Sequence, residues 1–355
     1  MKKNQTPLPL ETVNFLTSID PLIWEKVKDE DGKVNALLCK EYANKNYPDT
    51  AGMIYALAMW REHKVIYEFD GEIAEMLRDM GTVDDTIPCE AIMRLPYNGI
   101  YIQIPKKMFS FKNKEGRILG QLKEETVYVD GFFFSIDTDT EKNFKKFYDI
   151  SKSQYVDGLF SIATFDMFFD NHMMMTLAIP IAENFTLKTG FEYLHNNGYS
   201  GNESAIQLCN ELLQLVLYLS AVNADIEEDT EQKEIRERAE KKKAERSEHG
   251  ADRADKEKEV SYKELRKWNV GYRYGTAVKK ARQAERKKRD KEDTEPKQTT
   301  RQGSHSRKRT HARKGHFHHF WTGSRTGERQ LILKWVSPVI VNAEYENIVT
   351  IHKVK

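Results

Sequence analysis

The chain has 355 residues, 31% of them charged, with a mean hydropathy of −0.69, so it is long enough for a hydrophobic core but too polar to be one compact globule throughout. The longest apolar stretch, 205–222, is broken by Asn210, Glu211 and Gln214, and Pro7 and Pro9 follow the N-terminus where a secretory signal needs an apolar run; a cytoplasmic protein away from the membrane is expected. The net charge of +1 hides a split, because residues 297–334 hold ten Lys or Arg against the single acid Glu328, a local +9 that leaves −8 for the remainder.

In chain order, residues 1–47 read as an N-terminal extension. From 48 the pattern alternates between helix and strand. Asp49 and Thr50 can cap a helix whose apolar residues Met53, Ala56, Leu57 and Trp60 recur at i, i+3, i+4 and i+7. Val65-Ile66-Tyr67-Glu68-Phe69 reads as a strand. Asp70 can cap the next helix, with Ile73, Met76, Leu77 and Met80 on its apolar face and Gly81 at a left-handed C-terminal cap. Further strands are predicted at 100–104, 126–129 and 132–136, and the short loops between them favour antiparallel neighbours. After Asp157 the signal reads as helical, with Leu187, Phe191 and Leu194 on one face, and Leu208, Leu212, Leu215, Val216 and Leu219 mark the strongest helix, buried against the sheet.

Residues 227–259 hold thirteen acids and ten bases with almost nothing apolar, so they cannot bury a core. They form either a helix carrying Glu and Lys pairs or a disordered tether, and the tether is the preferred reading. A basic helix is expected over 276–289, then a polar gap. Residues 317–321 and 330–336 can pair as a hairpin across the turn-rich Thr322-Gly323-Ser324-Arg325-Thr326-Gly327, with 337–342 closing the element. The class is therefore α+β. An N-terminal mixed helix and antiparallel-sheet domain (48–226) leads through a charged helical or disordered linker (227–260) and a basic helix with a polar linker (261–302) to a small basic C-terminal β-hairpin module (303–355).

Five of the ten histidines lie within 305–319, among arginines and aromatic rings: His305, His311, His316, His318 and His319. As a metal site the run lacks cysteine and a familiar spacing. As an HNH-type nuclease, His318-His319 with Asn342 or Asn347 and His352 are the right residue kinds in the right order, but strand formers precede His352 where such sites use a helix. As an RNA-facing surface, arginines supply forked donors to phosphate while Phe317, Phe320 and Trp321 supply stacking planes. A solvated basic tail is the fourth reading, and the density of aromatic residues argues against it. The RNA- or ribosome-binding set is Arg307, Arg309, His311, Arg313, Lys314, His316, His318 and Trp321. No catalytic residue, metal ligand or cofactor site is assigned elsewhere. Asp137, Asp139 and Glu141 read as a polar turn rather than a Mg²⁺ site. Met173-Met174-Met175 reads as core filling, and Cys39, Cys89 and Cys209 as small buried hydrophobes.

The stretch Thr310-His311-Ala312-Arg313-Lys314-Gly315-His316-Phe317-His318-His319-Phe320-Trp321-Thr322-Gly323, followed by Lys334-Trp335-Val336-Ser337-Pro338, resembles the C-terminal signature of the second-named family of type V-A anti-CRISPR proteins. Trp60-Arg61, Ile66-Tyr67, Tyr218-Leu219, Asp225-Ile226 and Val270-Gly271 with Arg273 and Gly275 extend the resemblance over about 50–342. It implies an inhibitor that recognises the nascent type V-A Cas effector during translation and triggers loss of its mRNA. The implied partners are that polypeptide and the ribosome or message, with no membrane, and the oligomeric state stays open. The competing classes are an HNH-like metal-dependent nuclease acting on RNA or DNA, and a phage or plasmid nucleic-acid-binding accessory protein.

Overall fold

The structure, a computed structural model, describes residues 6–46, 50–113, 117–118, 121–122, 125–137, 159–170, 174–182, 185–196, 203–248, 259–280, 283, 311–313, 315–324, 327 and 329–341. Helices come first: α1 (Leu8–Ile19), the single turn α2 (Ile23–Lys26), α3 (Ala36–Asn46) and α4 (Ala51–His63). Strand β1 (Val65–Phe69) leads through α5 (Gly71–Asp79) and a 3-10 turn (Cys89–Arg94) to β2 (Gly99–Gln103). There follow β3 (Ser110–Asn113), the short β4 (Arg117–Ile118) and β5 (Gln121–Leu122), then β6 (Glu125–Asp137), β7 (Leu159–Phe169) and β8 (Met174–Ala182). Helices α6 (Leu187–Asn196) and α7 (Glu203–Ser220) precede β9 (Ile226–Glu228), α8 (Thr230–Glu248), β10 (Arg266–Val270) and a helix α9 over 272–280. Two small pairs complete the described chain: β11 (His311–Arg313) with β14 (Val339–Val341), and β12 (His316–Gly323) with β13 (Arg329–Val336).

The main sheet runs β8-β7-β6-β2-β1-β10-β9, with β3 beside the first half of β6. The α+β class holds, but the sheet is mixed rather than antiparallel throughout. β1 lies parallel to both β2 and β10. The reason is the connection: α5 and the 3-10 turn make a crossover long enough to return the chain to the same end, which a tight turn cannot do.

Alternation along the central strands divides the interior in two. Val65, Tyr67 and Phe69 of β1, Ile100 and Ile102 of β2 and Phe132 and Phe134 of β6 face one core; Ile66, Tyr101 and Phe133 face the other. The first core is closed by Ile73 and Leu77 of α5 and by Leu208, Leu212, Leu215 and Val216 of α7, the helix expected to be the most buried. The second is closed by α1 to α4 through Leu10, Val13, Trp24, Cys39, Ile54, Leu57 and Trp60. The first 47 residues therefore supply half of one apolar layer. Within this layer Trp24 Nε1 donates to Thr17 Oγ1 at 2.8 Å, and Trp60 Nε1 of α4 donates to the Val65 carbonyl at 2.9 Å. Buried indole N–H groups need such partners.

Local punctuation agrees with the sequence around α5, where the Asp70 carboxylate accepts from Glu72 N–H at 2.9 Å and Gly81 has φ +81°. Two expectations are corrected. The segment after Asp157, read as helical, is so only from Leu187, where α6 buries Leu187 and Phe191; before it the chain forms β7 and β8, because strands in contact on both faces carry near-continuous apolar runs, which periodicity cannot tell from a buried helix. The tether preferred for the charged stretch is a helix over Thr230–Glu248, carrying Arg236–Glu240 and Arg238–Glu234 pairs at i,i+4. Its first turns are anchored by Gln232, whose buried amide donates to the Tyr262 and Leu265 carbonyls, and by Arg236 on Glu228 at 2.8 Å. The chain then returns to place β10 between β1 and β9. Asp139, Glu141 and Met173 lie outside the described residues; Met174 and Met175 open β8, half-buried.

Beneath α4, the buried Asp166 of β7 accepts from Thr176 Oγ1 of β8 at 2.5 Å, and its other oxygen has no partner. Burial pushes this carboxyl up to about 7, although the Thr176 and Thr164 hydroxyls pull it down. A raised folded pKa means that the native state holds this proton more tightly than the unfolded chain. Stability is therefore lost as pH rises from the unfolded value, about 4, to about 7, and the cost is complete above that. Asp166→Asn keeps the acceptor for Thr176 and removes the titration. Its stability relative to the native chain should climb across that window by an amount on the order of 4 kcal/mol. Urea unfolding curves at several pH values check this, and a gap independent of pH would refute it.

Candidate functional site

The C-terminal hairpin is positioned from the end of α7. The carboxylate of Asp225, buried just after that helix, accepts from Arg273 N–H (2.9 Å) and Tyr274 N–H (3.2 Å), the first turn of α9, and from Arg273 Nε (2.5 Å). It caps α9 from a distant part of the chain. Gly271 turns the chain there with φ +73° and donates its N–H to the Asp225 carbonyl at 2.7 Å. Gly275 lets α9 cross the start of α5, where any Cβ would overlap the Asp70 carboxylate.

Asn223, in the same turn, grips β13. Its side chain donates to the Trp335 carbonyl (2.8 Å) and accepts from Trp335 N–H (2.9 Å), while Val222 N–H donates to the Leu333 carbonyl (2.9 Å). The Trp335 indole meets Tyr218 of α7 and Tyr274 of α9 edge-on, with ring centroids 5.2 and 5.4 Å away. Phe317, Leu331, Leu333 and Trp335 are buried and join the first core.

The expected hairpin forms, its first strand paired over one more residue at the start and two more at the end: His316 faces Val336 and Gly323 faces Arg329. The closing strand β14 pairs with β11 instead of with the hairpin. Of the eight expected RNA-facing residues, Arg307, Arg309 and Lys314 lie outside the described residues. His311 and Arg313 belong to β11, opposite Val341 and Val339. His316 and His318 are exposed on the outer face of β12, and Trp321 is exposed on the other face. Phe317, offered as a stacking plane, is a core residue at 4% exposure. Phe320, also offered as a stacking plane, follows His318 along the outer face with ring centroids 5.8 Å apart, and Lys334, which the sequence reading left out of the set, stands opposite His318. Period-two alternation within the predicted hairpin was the signal that places both on that face.

The hairpin is also felt across its root. The Thr86 hydroxyl and N–H bond the Asp84 carboxylate and hold it below the usual carboxylate range, and the imidazoles of His319 and His316 add to the effect. Asn342, Asn347 and His352, which the nuclease reading needs, lie outside the described residues. Among the described residues no group of three or more His, Cys, Asp or Glu is placed to hold a metal ion, and no helix is long and apolar enough to cross a membrane.

A second concavity, of ≈610 Å³, opens at the carboxyl ends of β1, β2 and β10. In parallel sheets this end is where ligands are received. Glu68, Gln103, Lys106, Tyr262, Lys267 and Tyr272 line it. Glu68 is engaged by Lys267 Nζ at 2.5 Å and by the Tyr272 hydroxyl at 3.1 Å, so its charge is internally neutralised. Burial first, then the Glu68 charge, push the Tyr272 hydroxyl well above its ordinary value, and it stays a donor.

A model described as AcrVA2-like, the anti-CRISPR type V subtype A2 family, matches residues 67–343, from β1 past β14. The chain belongs to that family. It is a type V-A anti-CRISPR protein. The family match begins after α1 to α4, so the helical layer over the second core is outside it. A crystal structure of AcrVA2 is similar over 94% of this chain and 93% of its own, at 15% identity and a TM-score of 0.47. No curated protein matches.

Asn223→Ala leaves a main-chain N–H and carbonyl of Trp335 without partners, which costs about 1–3 kcal/mol per buried group. Hydrogen exchange should quicken over 316–336 while β1 and β2 keep their protection. Unchanged exchange in the hairpin would show that the indole contacts alone hold it.

Proposed function

We propose that this family member recognises the N-terminal part of the type V-A effector while it is being translated and triggers loss of the message, acting as an adaptor rather than as a hydrolase. The outer face of the β12–β13 hairpin meets ribosomal or messenger RNA, and the groove at the ends of β1, β2 and β10 receives the nascent peptide. What supports the division is that two separate surfaces of different chemistry share one core, an imidazole and cation face without a carboxylate on either strand and a charge-balanced groove walled by Tyr262 and Tyr272. With Glu68 already paired, the groove would hold a peptide by amide and phenol contacts rather than by net negative charge.

The deciding experiment follows an effector transcript in cells with and without this protein. The transcript should fall only when its reading frame carries a start codon; an equal fall without translation would exclude recognition of the nascent chain. Purified protein should bind the message without cutting it in Mg²⁺ or Zn²⁺, and cleavage abolished by His318→Ala would make the protein a nuclease instead. If about five cations contact single-stranded RNA, log affinity should fall with log salt at a slope of about −3.5, and a slope near zero would remove the RNA contact.

A further inference from the structure

The turn end of the hairpin carries a large, partly exposed ring on each face. Phe320 and Trp321 are consecutive residues of one strand, so they point to opposite sides of the ribbon. They are 39% and 44% exposed, whereas Phe317 and Trp335 at the root are 4% and 6%. Each exposed ring stands beside an aliphatic residue on its own face of the ribbon, Ile332 for Phe320 and Leu331 for Trp321. His316 and His318 continue the outer face at two-residue spacing from Phe320. Arg329 and Lys334 supply cations along β13, and neither strand holds an acid.

We propose that this end straddles a single-stranded RNA segment, one base stacking on Phe320 and another on Trp321, while Arg329 and Lys334 meet the phosphates between. The inference rests on the RNA-facing reading above and adds the class of RNA. Rings on opposite faces of one ribbon can be served only by bases splayed out of a helix. Duplex RNA offers no such bases, and its narrow major groove excludes side chains. Charge complementarity selects a polyanion over an apolar protein partner, and stacking planes select one with bases.

The test uses the full-length protein and a short oligoribonucleotide carrying adjacent 2-aminopurines, single-stranded or annealed to its complement. The single strand should bind at least tenfold more tightly than the duplex, with a change in 2-aminopurine emission. Phe320→Ala and Trp321→Ala should each weaken single-strand binding about tenfold and leave duplex binding unchanged. Because both rings are exposed, the thermal midpoint should hold. If either variant loses the fold, Phe320→Leu and Trp321→Leu remove the ring and retain apolar volume. Equal affinity for single strand and duplex, or loss of binding in Arg329→Gln and Lys334→Gln but in neither ring variant, overturns the straddle and leaves a phosphate contact. Absence of binding to either RNA by the native chain removes the RNA reading itself.

Discussion

The carboxylate of Asp225 ties together parts of the chain that no local signal connects. It stands between the most buried helix and a sheet edge, and it closes the first turn of α9, which begins almost fifty residues later. Its partner Arg273 is half exposed, so the ion pair itself contributes little. The charge-assisted bonds to two main-chain N–H groups weigh more, at about 1.5–3 kcal/mol each. Once α9 is set, Tyr274 joins Tyr218 around Trp335, and Asn223 takes the main chain of the same residue. The hairpin thereby becomes an extension of the main core.

The residues that carry the family resemblance gather in this joint. Tyr218, Asp225, Gly271, Arg273, Gly275 and Trp335 are scattered along the sequence, yet each serves the same junction of α7, α9 and β13. Much of the signature is thus architecture. The groove beside it uses residues of the paired strands β1 and β10 that lead into α5 and α9, Glu68 and Lys267, so the two candidate surfaces are built from neighbouring elements.

Legibility varied with how many faces an element buries. α5 was readable because one face is wet and its ends are marked by Asp70 and Gly81. The β12–β13 hairpin was readable because a glycine-rich turn separates two short runs. β7 was not, since residues such as Phe165 and Phe168 meet different cores and leave no polar alternation to detect. β10 was not identified as a strand for the opposite reason: Arg266-Lys267-Trp268-Asn269 has too few apolar residues to show a period, and pairing with β1 and β9 makes it a strand. The RNA-facing set was chosen by residue type, so it mixed the two faces of β12, and the stacking planes offered beside it included Phe317, which faces inward.

Composition and short-range spacing were enough for the class of fold, the cationic C-terminal run, the helix buried against the sheet and the hairpin, because each depends on charges, turns or periodicities a few residues long. The placement of the first helices over a second core, the parallel neighbours of β1, the capping of α9 by Asp225 and the choice of which hairpin face meets the core emerged on folding. Those features arise from contacts between residues far apart in the chain, or from a strand's orientation on its core, and neither leaves a mark in local sequence.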